Sequence, residues 1–101
     1  MFNYNFEEKG ANTLEITIEG GFDTDAALKV MKHLESYDCK EISTIVFDLS
    51  KTSLMASTGL RVIFYADSRI KDDMKVEIRG AQGLVAKVLK MSGVDKIIKI
   101  V

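Results

Sequence analysis

From residue 14 onward, short apolar runs alternate with segments whose apolar residues recur at helical spacing, and no other feature constrains the fold as much. Leu14-Glu15-Ile16-Thr17-Ile18-Glu19 alternates with period two, as a strand with one buried face does. Gly20-Gly21 is expected to stop it. Asp23 or Thr24 then serves as a helix cap, ahead of a stripe of Ala27, Val30, Met31 and Leu34. Ile45-Val46-Phe47 is continuously apolar, which suits a central strand covered on both faces. A second helix carries Leu60, Ile63, Phe64 and Ile70. Met74, Val76 and Ile78 mark another strand. Leu84, Val85, Val88, Leu89 and Met91 mark a last helix, with Gly93 placed to end it in a left-handed conformation. Ile97 to Val101 reads as a closing strand, and residues 2–8 as an opening one, at a sheet edge. The chain has no proline, so glycines and caps do the punctuating. The expected class is α/β: a mixed, largely parallel sheet of about four to five strands flanked by about three main helices.

A chain of 101 residues is expected to form one domain over residues 1–101. Its 47% apolar and 29% charged residues are an ordinary globular balance. No apolar run approaches the roughly 18 residues of a membrane span, and the start, Met1-Phe2-Asn3-Tyr4-Asn5-Phe6-Glu7, lacks the basic and apolar regions of a signal peptide. A cytoplasmic protein is expected. The single Cys39 agrees, since one thiol makes no internal disulfide. His33, the only histidine, reads as an exposed helix residue. A net charge of −1 implies neither nucleic acid nor an anionic membrane as partner.

Catalytic constellations are scarce. There is no phosphate loop of the form Gly-x-x-x-x-Gly-Lys and no Gly-x-Gly-x-x-Gly turn. Gly80-Ala81-Gln82-Gly83 has the composition of a strand-to-helix turn, and its amides are the one candidate for meeting an anion. One His and one Cys, with no carboxylates at ligand spacing, give no metal site. Asp72-Asp73, near Lys71 and Lys75, reads as a solvated turn. Ser57 lacks the Gly-x-Ser-x-Gly of a nucleophile elbow. No enzyme activity, cofactor or metal is expected.

That leaves Leu-Met-Ala-Ser-Thr-Gly-Leu-Arg, residues 54–61, where two hydroxyls and a glycine stand at a helix start. Ser57 fits as the N-cap of the second helix. Capping is the reading the residues alone favour, but a phosphoryl group is also tolerated there, because it sets nearly two negative charges against the positive end of a helix dipole, worth about 0.3–1 kcal/mol if exposed. Both readings stay open.

Three motifs in order resemble the STAS domain family, typified by bacterial anti-sigma-factor antagonists. Val46-Phe47-Asp48-Leu49 followed by Ala56-Ser57-Thr58-Gly59-Leu60-Arg61 is similar to the family's Val-x-Asp-Leu strand and Asp-Ser-Ser/Thr-Gly-Leu-Gly signature. Gly20-Gly21-Phe22-Asp23 resembles its early Gly-x-Leu-Asp, and Leu89-Lys90-Met91-Ser92-Gly93-Val94 its late Leu-x-x-x-Gly-Leu. The resemblance implies a non-enzymatic regulator whose partner is an anti-sigma factor that is also an ATP-binding serine kinase. It implies phosphorylation at Ser57 and a partner surface of Asp23, Thr24, Ala56, Thr58, Gly59 and Arg61, on a monomer or weak homodimer. Ala56 replaces the usual Asp, and Arg61 a usually small residue. The rival expectations are a STAS scaffold or sensory subunit without a phospho-switch, and a small nucleotide- or metabolite-binding domain using the helix starts near Ser57 and Gly83.

Overall fold

The computed structural model describes residues 2–10, 12–38, 40–69 and 75–101. The elements are β1 (Phe2–Lys9), β2 (Thr13–Phe22), α1 (Thr24–Ser36), β3 (Thr44–Met55), α2 (Ser57–Arg69), β4 (Lys75–Arg79), α3 (Gly83–Ser92), a short 3-10 helix (Val94–Lys96) and β5 (Lys99–Ile100). The sheet order is β1-β2-β3-β4-β5. The edge strand β1 runs antiparallel to β2, and the remaining pairs are parallel. The expected mixed, mostly parallel α/β sheet with three helices is what forms. Readings that involve Cys39, Ile70, Lys71, Asp72, Asp73 and Met74 lie outside the described residues.

Each helical crossover steps one strand in the same direction, so right-handed connections bring all three helices to one face. Register carries the core across that face: Ile16 lies opposite Phe47, and Phe47 opposite Ile78. These side chains are fully buried, in one cluster with Val30 and Leu34 of α1, Ile63 of α2 and Leu89 of α3. β3 is buried on both faces, as expected, but helices cover only one of them. Val46 is 3% exposed yet lies outside that cluster, on the face without helices. Its register neighbours there are Glu15 and Glu77, and Arg79 reaches across β3 to Glu15 at 3.3 Å. A continuous apolar run thus needed only a salt-bridged polar cover on its second side.

Gly20-Gly21 does not end β2. The strand runs on to Phe22, and its pairing with β3 slips between Thr17 and Glu19 and again between Gly20 and Gly21. Within the irregular stretch the buried Thr52 hydroxyl donates to the Ile18 carbonyl at 2.7 Å. That bond satisfies an acceptor in a stretch where the ladder is disrupted. The glycines therefore bend a long strand pair, and both strands end together at Phe22 and Met55.

Other helix readings need narrowing. In α2 the buried side chains among the described residues are Val62, Ile63 and Ala66, beside the buried Gly59, with Leu60 half-buried and Phe64 exposed. In α3 only Val85 and Leu89 are buried, while Leu84 and Met91 face solvent. A helix over one sheet face buries a stripe narrower than the full apolar set. Gly93 closes α3 at φ 79°, as expected. The closing strand is shorter than expected, because the Ile97 and Ile98 N–H groups donate to the Val94 carbonyl in the turn that ends the 3-10 helix, and only Lys99–Ile100 pairs with β4. His33 is half-buried, not exposed: its ring stacks on Phe6 of β1, centroids 3.9 Å apart and planes at 3°. Beside it the Tyr37 hydroxyl donates to Glu8 at 2.6 Å, so α1 is clasped to the edge strand.

Candidate functional site

The joint end of β2 and β3 delivers two helix starts side by side. The Ala56 N–H donates to the Phe22 carbonyl at 3.0 Å, which fixes the end of β3 against the end of β2. A helix begins one residue after Ala56 and another two residues after Phe22. Of the two candidate caps for α1, Asp23 does the capping: its Oδ1 accepts from the Ala26 N–H at 2.9 Å. Asp25 adds a second carboxylate to that first turn.

The start of α2 differs from the expectation. The Ala56 carbonyl accepts from the N–H groups of Gly59 (2.9 Å) and Leu60 (3.4 Å), so Ala56 holds the cap position and Ser57 is the first helical residue. Ser57 is not the N-cap. A cap side chain must precede the first turn to reach back to its free N–H groups, and alanine has no such side chain. No acid stands in the first turn of α2 either, so no carboxylate of its own helix compensates its positive end.

The two starts meet through their side chains. The Thr58 hydroxyl donates to the Thr24 hydroxyl at 3.2 Å. Among the described residues none hydrogen-bonds the Ser57 hydroxyl, which is exposed. Asp23, Thr24 and Arg61 are also exposed, and Ala56 and Thr58 are half-buried. Gly59 is buried beneath them. A Cβ at Gly59 would stand 2.9 Å from Cδ2 of the buried Phe22 ring and 3.3 Å from Cγ of Met55. Glycine is what lets α2 sit this close to the strand ends. The residues expected in the partner surface are thus brought together, six of them around Ser57, with Gly59 acting from below.

One feature of this surface was not foreseen. A groove of about 160 Å³ runs between the helices, lined by Ala27, Leu28 and Met31 of α1 and by Thr58, Arg61 and Val62 of α2. Leu28 is 61% exposed. An apolar residue off the Ala27-Val30-Met31-Leu34 stripe was the available signal.

The other helix start, at α3, is organised differently. Gly80, at φ 77°, packs so closely on Ser50 that a Cβ would meet its Cβ at 2.7 Å. Gln82 makes no side-chain cap, and its Nε2 donates instead to the Ser50 carbonyl at 3.4 Å. The Ser50 N–H and hydroxyl in turn donate to Asp48 Oδ1 at 3.0 and 2.7 Å. Burial opposes the charged form of Asp48, but the two bonds from Ser50, with Arg79 and Lys51 nearby, outweigh it and hold the carboxyl below its usual range. The glycine turn therefore has a packing reason that needs no anion. Among the described residues no group of three or more His, Cys, Asp or Glu is placed to hold a metal ion, and no helix is long and apolar enough to cross a membrane.

A family model for the STAS domain matches residues 4–101. This chain belongs to the STAS domain family. It is 28% identical over 95 residues to an anti-sigma-B factor antagonist of Listeria monocytogenes, an alignment covering 93% of this chain and 83% of that one. In fold it is similar to an anti-sigma factor antagonist from Mycobacterium paratuberculosis, with a TM-score of 0.88, 14% identity, and coverage of 99% and 85%. It is similar also to the anti-sigma factor antagonist SpoIIAA in its unphosphorylated form, with a TM-score of 0.84, 16% identity, and coverage of 98% and 88%. The phosphorylated form of that Bacillus protein gives a TM-score of 0.76 at 16% identity, covering 98% and 91%. The Listeria relative and the first two of these structures are anti-sigma factor antagonists by name.

Proposed function

We propose that this STAS domain is an antagonist that binds an anti-sigma factor through the joined starts of α1 and α2, and that phosphorylation of Ser57 ends the binding. The partner is a serine kinase as well as an anti-sigma factor. It transfers the γ-phosphoryl group of ATP to Ser57 Oγ, whose proton is lost as ADP leaves. The protein acts in the cytoplasm, as a monomer or weak homodimer.

The observation that carries this reading is the contrast between neighbouring hydroxyls. Thr58 is half-buried and engaged with Thr24, whereas Ser57 is exposed, has no hydrogen-bond partner among the described residues, and stands at a helix start with no acid in its first turn. A phosphoryl group there adds charge where the helix favours it and alters the surface without entering the core. Ala56 favours a second reading, a STAS scaffold that binds without a phospho-switch, because the carboxylate the family usually places beside the serine is missing. Incubation with the cognate kinase and ATP, read by intact mass, separates the two. The switch predicts one added phosphate in the parent and none in Ser57→Ala. The scaffold predicts none in either, with partner binding retained.

A further inference from the structure

The groove between α1 and α2 has a composition that selects its occupant. Ala27 and Val62 are buried at its floor, and Leu28 and Met31 form an apolar wall. On the opposite wall the Thr58 hydroxyl already donates to Thr24. Arg61 is therefore the group that sets the sign of the groove, and it has no ion pair among the described residues. Where the surface continues along α1 past Leu28 and Met31, two acids and two lysines flank it and their charges balance.

A volume of about 160 Å³ suits one side chain. A cation without an ion pair among the described residues at the edge of an apolar groove calls for an acidic group on whatever docks there. We infer that the groove is the anchor site for the anti-sigma factor: it takes one apolar side chain flanked by a carboxylate that pairs with Arg61, and Arg61 is the group through which charge on Ser57 closes the site. This rests on the proposed antagonist function and says where and how the partner is held.

The closing step follows from helix geometry. Ser57 and Arg61 are four residues apart in α2, so their side chains are neighbours on the helix surface, with the acceptor N-terminal to the cation in the favoured order. A phosphate on Ser57 engages Arg61 within the helix and withdraws it from the partner's carboxylate. The anchor loses its cation while its apolar part is unchanged.

The test measures Kd of the whole chain for its cognate anti-sigma factor, with melting curves for every variant. Leu28→Ser and Arg61→Gln should each weaken binding by about tenfold or more at an unchanged melting temperature, as loss of an anchor contact does. Arg61→Glu should weaken it further, by repelling the carboxylate. Ser57→Asp should cost at least about threefold less in the Arg61→Gln background than in the parent, since part of its effect passes through Arg61. If the parent binds but Leu28→Ser and Arg61→Gln bind as well as it does, the groove is not the anchor. If both weaken binding but the Ser57→Asp penalty is the same with and without Arg61, the closing step is wrong. If the parent does not bind the anti-sigma factor, the proposed function itself falls, and the anchor with it.

Discussion

The Thr58 hydroxyl donates to the Thr24 hydroxyl across 3.2 Å, so the first turns of α1 and α2 are joined by side chains above the backbone bond from Ala56 to Phe22. The two helix starts form one surface for this reason, and the same bond separates the roles of neighbouring hydroxyls. Thr58 belongs to the scaffold of the site. Ser57 belongs to its outer face.

Thr58→Val keeps the branched shape and removes the donor. The bond is exposed, so the expected loss is under about 1 kcal/mol. Phosphate uptake from the kinase should persist in this variant. A folded Thr58→Val that takes up none would make Thr58 the modified residue.

Gly59→Ala sets two effects against each other. Alanine favours the helix by up to about 1 kcal/mol. Its Cβ, however, would stand 2.9 Å from a Phe22 ring that is fully buried and has little room to give. Overpacking of this kind costs about 1–3 kcal/mol, so a net loss of about 1–2 kcal/mol is expected in a denaturant titration. A stabilised variant would show that α2 does not rest on Phe22.

Phe47 is fully buried in β3, between Ile16 and Ile78 in register. Phe47→Ala should cost about 3–5 kcal/mol, a large part of the stability of any domain of this size. A melting temperature within a degree or two of the parent would contradict the placement of β3 at the centre.

Asp48 gives the fold an acid limit. Its folded pKa lies below the ordinary aspartate value of 3.8, so the unfolded chain binds its proton first as pH falls. The contribution of Asp48 is thus fully present above about pH 4 and lost as pH drops through the lower folded value. Asp48→Asn keeps an acceptor for Ser50 but removes the titration. Its stability should fall less steeply than the parent's between about pH 4 and pH 2. Parallel profiles for the two proteins would assign the acid limit to other carboxylates.

The alternation of strands and helices was legible because each element has a clear period: Leu14, Ile16 and Ile18 at two, Val30 and Leu34 at four. What periodicity could not supply was the second side of each element. Val46 reads as apolar whether a helix or a salt bridge covers it, and Leu84 or Met91 reads as core although each is exposed. The bend at Gly20-Gly21 was hidden for a related reason. Paired glycines mark a break in local sequence, and only the facing strand, with Thr52 bonded to the Ile18 carbonyl, shows that the ladder resumes. The site was legible as a set of residues from motif resemblance. Its cap geometry was not, since a shift of one residue moves Ser57 from cap to first turn. The groove depends on how α1 and α2 lie together, which neither helix encodes alone.

Because Ser57 begins the helix without capping it, its substitutions test binding with little effect on folding. Ser57→Ala should change stability by no more than about 0.5 kcal/mol, as at other exposed sites, and Ser57→Asp should gain about 0.3–1 kcal/mol from a helix end with no acid in its first turn. The most direct test of the central claim is the affinity of the chain for the proposed anti-sigma factor partner, measured by calorimetry with Ser57 unmodified and with Ser57 carrying one phosphate. The account predicts tight binding by the unmodified protein and a loss of about tenfold or more on phosphorylation. Equal affinity for the two forms would contradict it.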